Sequence, residues 1–294
     1  MKTINKILFA VCCMAAFTAC SNDDDVLLSA EQPHEMSFTV NSGADTRTVL
    51  TVPEDGKGLK RVWKDGDKIS VIFQKEVGGE TKNYNEVFTL TSGAGTTSGT
   101  FSKSDSELPT SGTQTFHLLF PAGITIADYW VKTSIGDQKD GSLSTLGDYD
   151  ILQAYNQSVT DGIFGEISLT GETSFLHIPT TVKLIDNATG EYTVSKLSMT
   201  GTSVSNAFLR SFTGSGSCDY VPITLSDSFT LKDGMPAKDI YIAFVRWGSI
   251  DNVSLTLTIN GIDYKVLLND PNGSASARIE HLAASSIKTL PSME

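Results

Sequence analysis

The residues that could support acid–base, nucleophilic or metal chemistry are few and widely separated along the chain. The four histidines are His34, His117, His177 and His281. There is no His-Glu-x-x-His metal motif, no Gly-x-Ser-x-Gly nucleophile elbow and no glycine-rich phosphate loop. Two histidines could meet in space and bind a metal, but isolated histidines more often have structural or surface roles. The sequence therefore predicts no catalytic set, no metal and no cofactor, and we expect a protein that is not an enzyme.

Three further features are candidates for a ligand loop or a functional side chain. The run Asp137-Gln138-Lys139-Asp140-Gly141 lacks the acidic spacing and closing glutamate of a calcium loop, so it predicts a turn. The run Gly214-Ser215-Gly216-Ser217 predicts a flexible loop. His117 alternates out of phase with its apolar neighbours, so we expect it to face outward or toward a loop.

The amino terminus has the parts of a secretory signal. Lys2 and Lys6 form a basic segment, and the apolar residues 7–17 are too few to span a bilayer as a helix. Small residues directly before Cys20 are typical of a bacterial lipobox, which predicts a lipoprotein signal peptide at residues 1–19 and a palmitate-bearing lipid on Cys20. The alternative is an ordinary signal peptide with a chance cysteine. Cys218 then has no cysteine partner for a disulfide, and we expect it to be a small core residue.

The residues that follow Cys20 are acidic. The block Ser21-Asn22-Asp23-Asp24-Asp25 repels itself and stays extended, so residues 20–35 are expected to be a tether. After a lipidated cysteine, such a block resembles the signal that sends some lipoproteins outward across the outer membrane. A plain solvated tether is the alternative.

Composition excludes two classes of partner. Without Lys2 and Lys6, the 22 basic residues fall to 20 against 34 acidic ones, a net charge of −14. Nucleic-acid binding requires clustered Lys and Arg, and so does a polybasic contact with anionic lipid. We therefore expect neither.

Short alternating runs bounded by Gly, Asn, Asp and Ser predict an all-β fold. The clearest hairpin joins residues 253–259 to 262–268 through Asn260-Gly261, a pair that suits a type I′ turn. Its apolar face pairs Ile259 with Ile262, Leu257 with Tyr264, Leu255 with Val266 and Val253 with Leu268.

A second hairpin is expected between residues 59–63 and 69–73. A loop at residues 64–68 would set Trp63 against Ile69 and Leu59 against Phe73. Residues 135–161 show little periodicity and predict an irregular connection, and a domain boundary is expected near Gly165. Further strands are expected at residues 36–40, 86–90, 115–120, 182–185, 192–199 and 239–245.

Several short motifs follow one another in a set order. They are Ala44-Asp45-Thr46-Arg47-Thr48, the run from Val62-Trp63 through Gly66-Asp67 to Ile72, Gly99-Thr100-Phe101, the strand at 116–121 that ends in an aromatic residue and proline, and Asp150-Ile151-Leu152-Gln153-Ala154 before Ser174-Phe175-Leu176-His177. In this order they resemble the fimbrillin family of the Mfa-like type, the subunits and accessory proteins of type V pili. The resemblance runs through most of the chain to about His177.

This resemblance implies two tandem transthyretin-like β-sandwich domains, at residues 36–165 and 166–294, after the lipoprotein signal and the acidic tether. It implies a structural subunit, tip or anchor protein of a pilus that contributes to adhesion. The implied partners are other pilus subunits bound by strand exchange, the outer membrane through the lipid anchor, and a ligand on a host or bacterial surface. The implied location is the cell outer membrane as a surface-exposed lipoprotein, or the fimbrium after processing.

The resemblance also implies assembly by strand donation, in which a protease cuts after an arginine and removes a first strand. Met36, Phe38 and Val40 alternate as the apolar face of such a strand. Arg47 is the first basic residue after Lys6, so a cut before Thr48 would detach lipid, tether and strand together.

Alternatives to this scheme stay open on the sequence alone. Arg47 could be an ordinary exposed loop arginine, and tip and anchor proteins need not be cut. The tail at residues 285–290, with Ile287 and Leu290, is a candidate donor strand, although its pattern is short.

Two other functions also stay open. A surface glycan-binding lipoprotein of a nutrient-uptake system would need aromatic side chains exposed together. Trp63, Trp130 and Trp247 are not grouped, and the strand patterns around Trp63 and Trp247 favour core packing. A surface hydrolase would need acidic residues that converge in a cleft.

Overall fold

The computed structural model describes residues 33–42, 62–127, 129–185, 187–201, 204–218, 222–246, 253–268, 279–281 and 284–286. Cys20, Arg47, Thr48 and Trp247 lie outside these residues. The regular secondary structure of the described residues is almost entirely β-strand, with a four-residue helix, α1 (Leu143–Leu146), and a 3₁₀ turn at Gly147–Tyr149. The all-β fold class expected from the short alternating runs is confirmed.

The strands fall on both sides of the boundary expected near Gly165. Those before it are β1 (His34–Asn41), β2 (Lys68–Val77), β3 (Glu80–Ser92), β4 (Ser98–Ser106), β5 (Thr113–Phe120), β6 (Ile124–Ile126), β7 (Trp130–Ser134), β8 (Leu152–Thr160) and β9 (Ile163–Phe164). Those after it are β10 (Ile167–Ser168), β11 (Thr170–Gly171), β12 (Thr173–Ile178), β13 (Glu191–Thr200), β14 (Val204–Ser205), β15 (Ala207–Ser211), β16 (Gly216–Cys218), β17 (Ile223–Leu225), β18 (Phe229–Lys232), β19 (Met235–Pro236), β20 (Ile240–Arg246), β21 (Val253–Ile259), β22 (Ile262–Leu268), β23 (Ile279–His281) and β24 (Ala284–Ser286).

The first sheet runs in the order β10-β1-β4-β3-β2-β5-β8-β11, with β9 paired to β8. Only Leu169 separates β10 from β11, so the two ends of this order are held together by the chain itself. The sheet therefore curls round and encloses a core. This first core is aromatic-rich and includes Phe38, Trp63, Phe73, Phe88, Phe101, Phe116 and Phe120.

Two sheets enclose the second core. One has the order β19-β18-β13-β21-β22-β24 with β17 on β13, and the other has the order β14-β20-β12-β23. Both contribute apolar side chains to one cluster, as two facing sheets do in a sandwich. The cluster includes Leu176, Ile242 and Phe244 from one sheet and Leu197, Leu255 and Leu257 from the other.

A fourth sheet, β16-β15-β7-β6, joins strands from both sides of Gly165. β7 pairs with β15 over five residue pairs, from Trp130 with Ser211 to Ser134 with Ala207. The Gln138 amide also donates to the Ala243 carbonyl (2.5 Å) and accepts from the Ala243 N–H (2.9 Å). A third core packs beneath these contacts and draws on both halves, with Ile72, Leu119, Val131, Phe175, Phe208 and Tyr241 among its members. The division into two domains near Gly165 stays a prediction.

The Asn260-Gly261 hairpin is confirmed with the expected register, from Val253 opposite Leu268 to Ile259 opposite Ile262. Asn260 and Gly261 have φ values of 51° and 77°, as a type I′ turn requires. One member of the expected apolar face differs, because Ile262 is 52% exposed. Ile262 is the first residue after the turn, and its side chain lies outside the second core.

Five of the other expected strands are confirmed, and β3 is the one whose ends differ most, since it begins six residues before and ends two residues after the expected range. Residues 36–40, 86–90, 115–120, 192–199 and 239–245 correspond to β1, β3, β5, β13 and β20.

The expected pairing of Trp63 with Ile69 is wrong. Both edges of β2 are occupied by other strands, since Ile69 lies opposite Phe88 of β3 and Ser70 lies opposite Leu119 of β5. The Trp63 backbone instead bonds to the turn before β4, with Thr96 accepting its N–H and Gly95 donating to its carbonyl. Leu59 lies outside the described residues.

The strand expected at residues 182–185 is also wrong. The N–H groups of Leu184 and Ile185 both donate to the Gly234 carbonyl, at 2.8 and 3.3 Å, which is not a ladder pattern. Both side chains are buried all the same. The apolar pattern at residues 182–185 therefore indicates burial correctly, but the backbone there bends and does not form a strand.

Two segments expected to be irregular contain strands. Residues 135–161 include β8, which lies between β5 and β11 in the first sheet. Its alternation is broken by a bulge opposite His117, where Asn156 has φ 52°. The expected flexible loop at residues 214–217 is wrong in its second half, because residues from Gly216 onward form β16 and pair with β15.

Candidate functional site: the first strand and its groove

The apolar face of β1 is part of the first core. Met36, Phe38 and Val40 are 5%, 4% and 0% exposed, whereas Ser37 and Thr39 between them face solvent. This alternation matches the two-residue period of a strand with one buried face. The expected first strand therefore exists, and its side chains fill space inside the domain.

Both edges of β1 make backbone contacts. It runs antiparallel to β4, from His34 opposite Ser106 to Asn41 opposite Ser98. On its other edge, it pairs in parallel with β10, with Val40 opposite Ile167 and Asn41 opposite Ser168. Loss of β1 would leave unpaired backbone groups on two strands.

The end of β1 is fixed by further hydrogen bonds. The Asn41 carbonyl accepts from the Leu169 N–H (2.9 Å), and the Val40 carbonyl accepts from Trp63 Nε1 (3.3 Å). Asn41 Nδ2 donates to Glu166 Oε1 at 3.3 Å. The chain that connects the two halves is thus attached directly to the first strand.

Phe38 occupies an aromatic pocket. Its ring centroid lies 4.8 Å from that of Phe164, 5.1 Å from that of Phe88 and 6.3 Å from that of Phe116. These rings come from β3, β5 and β9, so the pocket is assembled from segments far apart in sequence. Without β1, they would line an apolar groove between β4 and β10.

Sequence reasoning identified the strand but missed the groove that holds it. Nothing in the local pattern connects Phe38 with Phe164 or Asn41 with Glu166, because the contacts span more than 120 residues. The aromatic residues on the apolar faces of β3 and β5 are the signal that the sequence offers, Tyr84 and Phe88 in β3 and Phe116 and Phe120 in β5.

The residues expected to direct export and processing, Cys20, Arg47 and Thr48, are outside the described chain. β1 ends at Asn41, six residues before Arg47. Of the candidate donor tail, β24 pairs with β22, and residues 287–290 are outside the described chain.

The sequence predicts that His117 faces outward or toward a loop, and the structure selects the second of these. His117 is 2% exposed and so does not face outward. Its Nδ1 accepts from the Asn156 N–H at 3.0 Å, and the turn at Gly214 covers it. The other half of the expectation, that it faces a loop, is confirmed. Burial, helped by the positive charge of Arg210, lowers the pKa of His117 to about 4, so the imidazole is neutral at physiological pH.

Arg210 anchors a polar cluster at the junction of the two halves. It is 4% exposed, lies between the rings of Tyr155 and Phe208, and donates from Nη1 to the Gly214 carbonyl at 2.6 Å. Burial raises the pKa of the nearby Glu172 carboxyl. Burial also raises the pKa of the half-buried Cys218 thiol to about 12, so this cysteine is a poor nucleophile.

Among the described histidines, His177 lies opposite His281 in the parallel pairing of β12 with β23. His177 stacks on Tyr241 and lies 3.1 Å from Asp239, and His281 is in β23. Trp63 is buried, as expected, and Trp130 is half-buried. Among the described residues, no group of three or more His, Cys, Asp or Glu side chains is arranged to hold a metal ion. No helix in that part of the chain has the length and apolarity to cross a membrane.

Known proteins offer only distant likenesses. No protein-family model matches the sequence, and no curated protein matches it. A candidate cell adhesion protein from Bacteroides ovatus is 14% identical, with 80% of this chain and 86% of that chain covered and a TM-score of 0.43. A candidate cell adhesion protein from Bacteroides uniformis is 17% identical, with coverage of 79% and 83% and a TM-score of 0.42. The tip fimbrial protein Mfa3 from Porphyromonas gingivalis, with a carboxy-terminal truncation, is 11% identical, with coverage of 81% and 83% and a TM-score of 0.35.

Two of these three structures are described as cell adhesion proteins and the third as a fimbrial tip protein.

Proposed function

We propose that this chain is a structural subunit or accessory protein of a cell-surface pilus, assembled by exchange of its first strand and contributing to adhesion. The observation that carries the proposal is β1. Its apolar face is buried in the first core, it pairs on both edges, and Arg47 is the first basic residue after it in the sequence. These are the properties of a strand that a neighbour's strand could replace.

The free energy of the buried contacts favours replacement of β1 by another strand over its removal alone. Removing three apolar side chains from the core costs about 1.5–3 kcal/mol each, or roughly 5–9 kcal/mol together. The whole stability of a folded protein is about 5–15 kcal/mol. A subunit with a vacant groove would therefore be close to unfolding. An incoming strand with the same alternation restores both the apolar contacts and the ladder bonds.

The export route belongs to the same proposal. Signal peptidase removes residues 1–19, Cys20 receives the lipid, and the acidic tether leads the folded part to the outer face of the outer membrane. A cut between Arg47 and Thr48 then separates lipid, tether and β1 from the rest. In an anchor protein, the lipid stays in place.

The test is amino-terminal sequencing of the protein from its native membrane and from sheared surface filaments. For a polymerising subunit, we expect lipidated Cys20 in the membrane fraction and Thr48 as the first residue in filaments. An Arg47→Ala variant should remain uncut and absent from filaments, whereas Arg61→Ala, the matched control, should assemble normally. Intact lipidated protein in purified filaments would exclude the processed-subunit role and leave the anchor role.

A further inference from the structure

A cavity of about 360 Å³ lies beside the first core, outside the β1 groove. Three separate segments form it: the turn from Lys64 to Lys68, residues 120–122 after β5, and Gly147-Asp148 in the 3₁₀ turn. Its volume is within the range of about 300–1,000 Å³ that small-molecule sites occupy. Neither the sequence motifs nor the strand-exchange role accounts for it.

The walls are held by hydrogen bonds that do not depend on a ligand. Within the turn, the Lys64 N–H donates to Asp67 Oδ2 (2.8 Å) and the Asp67 N–H donates to the Lys64 carbonyl (3.1 Å). The Ala122 N–H donates to the Lys68 carbonyl at 3.0 Å. Below, the Phe120 ring packs edge-on against Trp63, with centroids 5.3 Å apart. A preformed site of this kind loses little entropy when it binds.

The lining combines an apolar floor with a polar rim. Phe120, Pro121 and Ala122 form the apolar part. The rim carries two lysines and two aspartates, Lys64, Lys68, Asp67 and Asp148, so its formal charge is zero. An ion pair between Lys64 and Asp148 connects two of the walls.

This charge balance selects the chemistry of the ligand. A net anion would meet the aspartates and a net cation would meet the lysines, so neither has an advantage. Carboxylates only accept hydrogen bonds and ammonium groups only donate them, whereas each sugar hydroxyl does both. The C–H face of a sugar ring can lie on the partly exposed Pro121 and Ala122 while its hydroxyls bridge the rim.

We propose that this cavity binds one neutral sugar unit of a surface glycan. The site lies apart from the edges of β1, because Lys64, Pro121 and Asp148 are not among the residues that β1 contacts through its ladder. It gives the protein a recognition function besides assembly.

The test is saturation-transfer NMR and calorimetry on the full chain with D-glucose, D-galactose and D-mannose as neutral probes. D-glucosamine and N-acetylneuraminic acid serve as cationic and anionic probes. We expect at least one neutral sugar to bind. Asp148→Asn should weaken that binding about tenfold, which is about 1.4 kcal/mol. Ala122→Phe, which fills the cavity, should abolish it.

Asp105→Asn is the matched control, because Asp105 also pairs with a lysine at the surface, Lys103 at 2.5 Å, away from the cavity. The Asp105→Asn variant should bind the neutral sugar with the same affinity as the unaltered protein. If none of the three neutral sugars binds, or if Asp148→Asn and Asp105→Asn behave alike, the proposal is overturned. Tighter binding of either charged probe would overturn it as well.

Discussion

Replacing Phe38 with alanine tests the claim that β1 is an integral part of the first core. The Phe38 ring is 4% exposed and packs against Phe88, Phe116 and Phe164. The substitution removes these contacts but leaves the backbone pairing of β1 with β4 and β10 intact. The effect therefore reports on the side chain that a replacing strand would have to supply.

The magnitude follows from the area involved. A buried phenylalanine removes about 150–250 Å² from water, which at about 25 cal/mol per Å² is roughly 4–6 kcal/mol. Measured Phe→Ala substitutions in cores cost about 3–5 kcal/mol, because alanine and relaxation recover part of this. We expect a loss of about 4 kcal/mol in the free energy of unfolding for Phe38→Ala.

Urea unfolding followed by circular dichroism measures this loss. With a slope of about 3 kcal/mol/M, the midpoint should fall by roughly 1.3 M. Hydrogen exchange provides a local readout, because β10 has β1 as its partner in the first sheet. The amide of Leu169, which donates to Asn41, should exchange faster in the variant.

Ser37→Ala is the control for this experiment. Ser37 is the neighbouring residue on the exposed face of the same strand, so its replacement should change stability by less than about 0.5 kcal/mol. If Phe38→Ala shifts the midpoint no more than Ser37→Ala does, β1 is not packed as described and the strand-exchange proposal loses its physical basis.

Two further predictions concern the junction of the halves. The pKa of His117 falls from 6.5 to about 4 on folding, so between these pH values the unfolded chain takes up a proton that the folded chain does not, and stability decreases as the pH falls. Urea unfolding should therefore show that the free energy of unfolding falls more between pH 7 and pH 4.5 in the unaltered protein than in His117→Gln. Equal decreases in the two proteins would contradict this. Phe208→Ala removes a fully buried ring from the core shared by both halves and should cost about 3–5 kcal/mol. Exchange protection should fall at Ile72 and Ala243 together, and a change confined to one half would show that the junction does not couple them.

Local sequence patterns predict a strand and its register correctly where the pairing partners are close in sequence. The Asn260-Gly261 turn fixes the register of its hairpin, because only one alignment buries the apolar set. The alternation of Met36, Phe38 and Val40 likewise indicated a strand with one buried face. Both features depend on backbone periodicity and turn geometry, which a short stretch of sequence specifies.

Local patterns failed where a distant segment decides the outcome. Trp63 pairs with the turn before β4 and not with β2, because β3 and β5 already occupy both edges of β2. The alternation of β8 is hidden by a bulge, and the same bulge buries His117 beneath a turn from the second half of the chain.

Sequence patterns alone indicate that this protein is built from strands, that β1 has one apolar face, and that an arginine follows that strand. The packing of the sheets is needed to show which side chains surround Phe38, which groups Asn41 bonds to, and that a cavity opens beside Pro121. The reason is that strand edges and pockets are completed by residues from tens to more than 100 positions away. Their meeting depends on the packing of whole sheets, and no short pattern encodes it.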